Sequence, residues 1–177
     1  MEESSTPSVT TRSVGMRYGI ILAVISIVFF LILTFAGVDQ TKGAGRWFGM
    51  VFYLVVIFLA QKNFKDEGDD FMTYGQGMGI SFWIAVISTV IYSFFFYVYI
   101  KFIDASFVEN VKNKAIEDMQ AKGMGDAEID QAMSFAGKFM SPEAMLIFGL
   151  IFGVIIIVIC GLIVTIFTQK TNPNAEL

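Results

Sequence analysis

The chain has 177 residues, of which 55% are hydrophobic and 16% charged, with a net charge of -4. A soluble domain of this size carries about a quarter of its residues as charges, so the charged coat that water demands is missing. No Lys/Arg-rich stretch invites nucleic acid, and the single cysteine, Cys160, excludes an intramolecular disulfide. With no histidine, the commonest metal ligand and the commonest general base near neutral pH are both absent. The apolar residues are bunched into runs, which marks a lipid-facing chain rather than a soluble one with a greasy core. Because each helix needs the others as neighbours, one domain over 1-177 is expected.

Residues 1-14 read as a disordered N-terminus. The charge-free run from Tyr18 to about Phe35 gives a first span over about 16-37. It is longer than the apolar region of about 7-15 residues in a signal peptide, so it reads as a span rather than a leader cleaved after Thr34-Phe35-Ala36. The second run, Trp47 to Ala60, is the shortest, about 21 Å of helix. Crossing there needs 44-63, with Arg46 and Lys62 reaching back to the headgroups; an interfacial or re-entrant helix is the alternative. A polar loop from Gln61 to Gly77 is expected next. It holds Asp66, Glu67, Asp69 and Asp70 near Lys62 and Lys65, without EF-hand spacing, and reads as a solvated turn with no metal.

The third run, Met78 to Ile100, sets a span over about 77-101. It ends in Tyr92, Phe94, Phe95, Phe96, Tyr97, Tyr99 and Phe102, which read as an aromatic belt at the headgroup level. Tyr92, Phe95, Phe96 and Tyr99 are the candidate lipid-facing cluster, suited to a lipid or polyprenol. Ser81, Ser88, Thr89 and Ser93 on the same helix bond back to its carbonyls or across to a neighbour.

Residues 104-140 form the one sizeable polar region. Phe107, Val108, Val111, Ala115 and Met119 recur at helical spacing, as do Ile129, Met133, Ala136 and Met140. Between them Gly123 or Gly125 ends one helix and Asp126 caps the next, which predicts a helical hairpin. Whether the third span continues past Asp104, or Asp104 starts a new helix, stays open. The fourth span, 142-169, opens with Ser141 as cap, Pro142 in the first turn and Glu143 at the positive end of the helix dipole. The expected fold is thus all-α: a four-helix transmembrane bundle with an extramembrane helical hairpin between spans 3 and 4.

The four uncharged cores hold no Asp, Glu, Lys, Arg or His. Proton relays and ion sites in membranes depend on such groups, which argues against a lone proton-coupled carrier. Glycine pairs at i, i+4 lie at or near the start of each span: Gly15/Gly19, Gly45/Gly49, Gly75/Gly79 and Gly149/Gly153. Small residues at this spacing let helices approach closely in lipid, so these are the expected helix-packing positions, within the bundle or in a homo-oligomer. Four spans put both termini on one face, with Arg12, Arg17, Lys62, Lys65 and Lys170. The other face carries Lys42, Arg46, Lys101, Lys112, Lys114, Lys122 and Lys138. The basic residues flanking the first span favour cytoplasmic termini.

Four segments carry a resemblance: Tyr74-Gly75-Gln76-Gly77, Lys101-Phe102-Ile103-Asp104, Gln120-Ala121-Lys122-Gly123-Met124 and Lys138-Phe139-Met140-Ser141-Pro142. In this order the stretch Phe71 to Lys170 resembles domain-of-unknown-function family 4199, small membrane proteins of Gram-negative bacteria. The resemblance implies a four-span protein of the inner (cytoplasmic) membrane with a helical excursion between the last two spans. It implies no activity, catalytic residue or cofactor. Members often carry proline after the aspartate, where this chain has Ala105, and that departure weakens the case for a break at Asp104. The expected role is a non-catalytic subunit or scaffold of a membrane complex, not an enzyme, with the lipid bilayer and a membrane-protein partner or second copy as its contacts. The alternative is a lipid-handling or small-solute transport component assisting a membrane glycosyltransferase.

Overall fold

The computed structural model describes residues 9-38 and 45-172, the side chains of residues 45-48 excepted. The helices are α1 (Thr11–Phe35), α2 (Gly45–Glu67), α3 (Tyr74–Val98), α4 (Phe107–Ala121), α5 (Asp126–Ala136) and α6 (Pro142–Thr168). A π-helical turn, Tyr99–Ile103, follows α3, and a 3-10 turn, Gly137–Met140, follows α5. No strand occurs among the described residues; one isolated backbone bridge joins Met72 to Lys170.

Local chemistry sets several of these boundaries, and some differ from expectation. The disordered N-terminus expected over 1-14 gives way at Thr11, where α1 begins. Thr10 accepts the Ser13 amide at 3.1 Å and Ser13 Oγ accepts the Thr10 amide at 3.3 Å, a reciprocal cap; residues 1-8 lie outside the described set. At its other end α1 closes on Gly37, whose φ of +66° lets the Val38 amide reach Leu33 O at 3.0 Å. The loop expected from Gln61 is largely helix. The α2 helix runs on to Glu67, because Ile57, Ala60, Gln61 and Phe64 continue one buried face beyond the uncharged run. The α3 helix opens on a second reciprocal cap, with Thr73 Oγ1 accepting from the Gln76 amide and Gln76 Oε1 from the Thr73 amide.

Asp104 ends the third long helix, despite the alanine that follows it. The Asp104 amide closes the π turn on Tyr99 O at 2.9 Å, and its carboxylate then accepts Ser106 Oγ at 2.6 Å, so the chain turns before α4 begins at Phe107. The α4–α5 connection turns through Gly123, with φ of +80°. Gly125, not Asp126, is the capping position of α5: Glu128 reaches back to its amide at 3.1 Å.

Among the described residues, three helical stretches are long and apolar enough to cross a membrane: Thr11–Phe35, Tyr74–Ile103 and Pro142–Thr168. Their outer faces are apolar, with Ile32, Phe82, Ile159 and Phe167 all strongly exposed, whereas Gln61, Ser81, Ser88, Thr89, Thr165 and Thr168 are buried. Oil outside and polar groups inside is the reverse of a water-soluble domain. This is the arrangement of a membrane protein.

The chain divides into two compact units. The first, residues Met1–Tyr92 and Phe152–Leu177, contains α1, α2, most of α3 and the later part of α6. Its core runs through Leu22, Ile57, Met72, Ile80, Ile84, Ile157 and Val164. The second, Ser93–Ile151, contains α4, α5, the two irregular turns and the helix ends that flank them. Among the described residues of α4 no side chain is fully buried, and in α5 Ile129 alone is.

Candidate functional site

Polar atoms gather in the first unit around Gln61. Its side chain is 0% exposed. The amide nitrogen donates to Thr165 Oγ1 at 2.7 Å, and to Gly77 O and Ser81 Oγ at 3.1 Å each. Its carbonyl accepts from Thr168 Oγ1. One α2 side chain thereby binds α3 and α6 together. The hydroxyls are doubly held, since Ser81 also donates to Gly77 O at 2.9 Å and Thr168 lies 3.0 Å from Val164 O. A neutral amide among hydroxyls offers neither an acid nor a base. With two N–H groups shared among three acceptors and its carbonyl engaged, Gln61 has no donor left for a substrate.

Close approach of the helices makes the site. A Cβ added at Gly77 would lie 2.5 Å from Thr165 Cγ2, and one added at Gly161 would overlap Ser81 outright. Neither glycine belongs to a predicted pair. Of the predicted ones, Gly15 and Gly19 seat α1 against α3: a Cβ at Gly19 would come within 2.9 Å of Ile87, and one at Gly15 would collide with Trp83. Gly153 faces Thr89 at 2.7 Å in the same sense, whereas Gly149 meets Ser93 Oγ at an ordinary 3.4 Å within the second unit. Gly79 touches Thr11 at 3.5 Å, Gly75 meets only Thr73 Oγ1 at 4.0 Å, and Gly49 has open space around it. The Gly45/Gly49 pair therefore makes no seam at Gly49, and the surroundings of Gly45 lie outside the described set. Spacing along one helix says nothing about which face a neighbour takes, so the pair rule selects some true seams and misses others.

Of the candidate lipid-facing aromatics, Tyr99 is buried, whereas Tyr92, Phe95 and Phe96 are half-buried and each meets a neighbouring ring. Tyr92 meets Phe30 edge-on at 6.4 Å in the first unit. In the second, Tyr99 is buried against Phe95 at 6.1 Å, and Phe96 meets Phe107 at 5.4 Å. Phe94 and Phe102 take the outward positions instead. The rings distribute around the helix because seven aromatics in eleven residues cannot all share one face.

One end of the first unit is closed by charge. Arg17 pairs with Glu67 at 3.4 Å, Lys65 donates to Thr168 O at 2.9 Å, and Lys170 pairs with Asp70. Met72 and Lys170 exchange two backbone hydrogen bonds of 2.9 Å. These contacts gather the start of α1, the α2–α3 turn and the end of α6. The Lys170 ammonium, hydrogen-bonded to the Asp70 carboxylate, holds that carboxyl below its usual range, with the Lys65 charge adding to the effect. Glu67 and Asp70 are thus partnered by cations from other elements, and no group of three His, Cys, Asp or Glu suited to a metal ion occurs among the described residues. In the second unit Lys101 Nζ reaches Glu143 at 2.8 Å and Tyr97 Oη at 2.6 Å, tying the end of the third long helix to the start of α6.

Sequence reasoning missed Gln61. A polar residue after an apolar run reads as an exit from the membrane, and the signal that kept it inside was the continuing spacing of Ile57, Ala60 and Phe64. The family model described as "Protein of unknown function (DUF4199)" matches residues 17–170. No curated protein and no solved structure matches the chain.

Proposed function

We infer a role from one premise: this chain belongs to the DUF4199 family of proteins of unknown function. The role is that of a non-catalytic subunit or scaffold of a membrane complex. The observation that carries it is the saturated Gln61 core, where every polar position of the amide is engaged by the protein itself. Such a core fixes helices, and its amide has no donor free for a substrate. A rigid body of this kind serves by holding something else in place.

The architecture we propose has four spans, with α2 as the second. Its 23 residues make about 35 Å of helix, enough for the hydrocarbon core. The charged closure supports an even count, because it brings the start of α1, the end of α2, the start of α3 and the end of α6 to one end. On this reading both termini are cytoplasmic and α4 and α5 form the extramembrane hairpin that docks a partner. The resemblance to proteins of Gram-negative bacteria supports the bacterial inner membrane as the location.

Purification of the full chain in mild detergent, with tags at either end, should recover a membrane protein in constant stoichiometry. Recovery of the bare chain from several mild detergents would overturn the scaffold reading. Reporter fusions at both termini and in the α4–α5 turn test the topology. Activity of both terminal fusions in the periplasm would reverse it.

A further inference from the structure

A groove of about 350 Å³ runs along the outside of the first unit between α2 and α6. Leu54, Val55 and Phe58 form one wall, Ile163 and Phe167 the other, and Val164 lies nearly buried at its floor. Only apolar atoms face it, and it is open along one side. The furrow exists because Gln61 draws α2 to α6 on the inner side, through Thr165 and Thr168, while β-branched Val55 and Ile163 leave the outer side unfilled.

The groove has one polar end. There Lys65 bridges α2 to the Thr168 carbonyl at 2.9 Å. Lys62 sits one turn beyond Phe58 on the same side of α2 and is exposed. Among the described residues it has no ion pair or hydrogen bond, and Asp66, a further turn on, does not engage it.

We infer that this groove is a binding site for an anionic diacyl phospholipid, with one acyl chain between α2 and α6 and the phosphate on Lys62. Three features select this occupant. An apolar channel that ends at a cation has the polarity of a phospholipid, tail inward and phosphate at the headgroup level. The walls are short: Leu54 to Phe58 and Ile163 to Thr168 span about 6 and 8 Å of helix rise. A second copy or a partner helix would need a seam of several turns to associate in lipid. A lysine at headgroup depth with no carboxylate on it favours a net-negative headgroup over a zwitterion, by about 1 kcal/mol. The site stands whether or not α4 and α5 hold a partner.

The test uses the full chain reconstituted in nanodiscs of equimolar phosphatidylglycerol and phosphatidylcholine, released for native mass spectrometry. The wild type should retain phosphatidylglycerol in excess. Lys62→Gln should cut that preference about fivefold while leaving retained phosphatidylcholine unchanged, and Lys112→Gln on α4 should change nothing. Val55→Trp, which fills the groove from an exposed position and leaves the core intact, should lower retention of both lipids, with circular dichroism confirming the fold. Equal retention of the two lipids by the wild type and Lys62→Gln would overturn the proposal. So would a dimer that Val55→Trp dissociates, because a second copy would then occupy the groove.

Discussion

The Gln61 region and the segment from Phe107 to Met140 are both helical, yet they are held together in opposite ways. Around Gln61 the helices approach to the limit set by Gly77 and Gly161, and Ile57, Ile80 and Ile84 are fully buried. In α4 and α5 the apolar stripes at Val111, Met119 and Met133 are half-buried, Ile129 is the one buried side chain, and Phe135 of α5 and Phe139 of the turn after it stand out at 68% and 44% exposed. In lipid the apolar surface gains nothing by leaving its solvent, so tight backbone approach and polar bridges must hold helices together. On the proposed extramembrane placement of α4 and α5, the apolar area itself drives association, and loose packing of a few side chains suffices for a small pair of helices. The first region is built to stay fixed, whereas the second keeps apolar surface available.

The largest expected effect comes from filling a glycine of the first region. Gly161→Leu drives a side chain into Ser81 and should cost about 3 kcal/mol or more, read as a lowered thermal midpoint in detergent. Gly49→Ala, at a predicted packing position with open space around it, should leave the midpoint unchanged. If the two variants melted alike, close approach would not be what holds this region. Next comes the second region: Ile129→Ala removes its one buried side chain, at about 2 kcal/mol. Amides of α4 and α5 should then exchange faster while those of α2 do not. Acceleration spread equally over α2 would mean that the two regions are one cooperative unit.

Gln61→Leu should cost less than its central position suggests. Ser81 and Thr168 fall back on Gly77 O and Val164 O of their own helices, so the loss is about 1-2 kcal/mol. A loss of only a few tenths, with helix packing retained, would show that the glycine contacts alone hold α2, α3 and α6.

How far the sequence carried the fold follows from the same contrast. The apolar runs, the Ser141 and Pro142 start of α6 and the glycine turn at Gly123 were legible because each depends on neighbours in the chain. Ser141 Oγ does accept the Ala144 amide, at 3.2 Å. Gln61 and Gly77 were not legible as a pair, because their meaning depends on α3 and α6 arriving on one side of α2. That Tyr99 is buried while Tyr92, Phe95 and Phe96 stay half-buried was hidden for the same reason: an aromatic run fixes where a helix ends but not which ring meets a neighbour. The length of α2 was partly legible, since Phe64 completes the spacing of Ile57 and Ala60, but the charges at Lys62 and Lys65 masked it.

The smallest effect should come from the charged closure, where exposed ion pairs contribute little. Asp70 has its carboxyl held below the ordinary value of 3.8 by Lys170. A depressed carboxyl stabilises the folded state fully above its unfolded value and loses that contribution as the pH falls through the folded one. Between pH 7 and 5 this pair should therefore add no slope to the stability curve, and the decline should begin below about pH 4. Asp70→Asn is the appropriate variant, because the residue has φ of +66° and asparagine tolerates that backbone conformation. Its midpoint should lie slightly below the wild type at pH 7, approach it when salt is added, and meet it at low pH. The backbone bridge between Met72 and Lys170 stays in both proteins, so a variant that unfolded outright would show that the carboxylate, and not the bridge, closes this end. A gap that persisted to pH 2 would show that Asp70 acts through shape rather than charge.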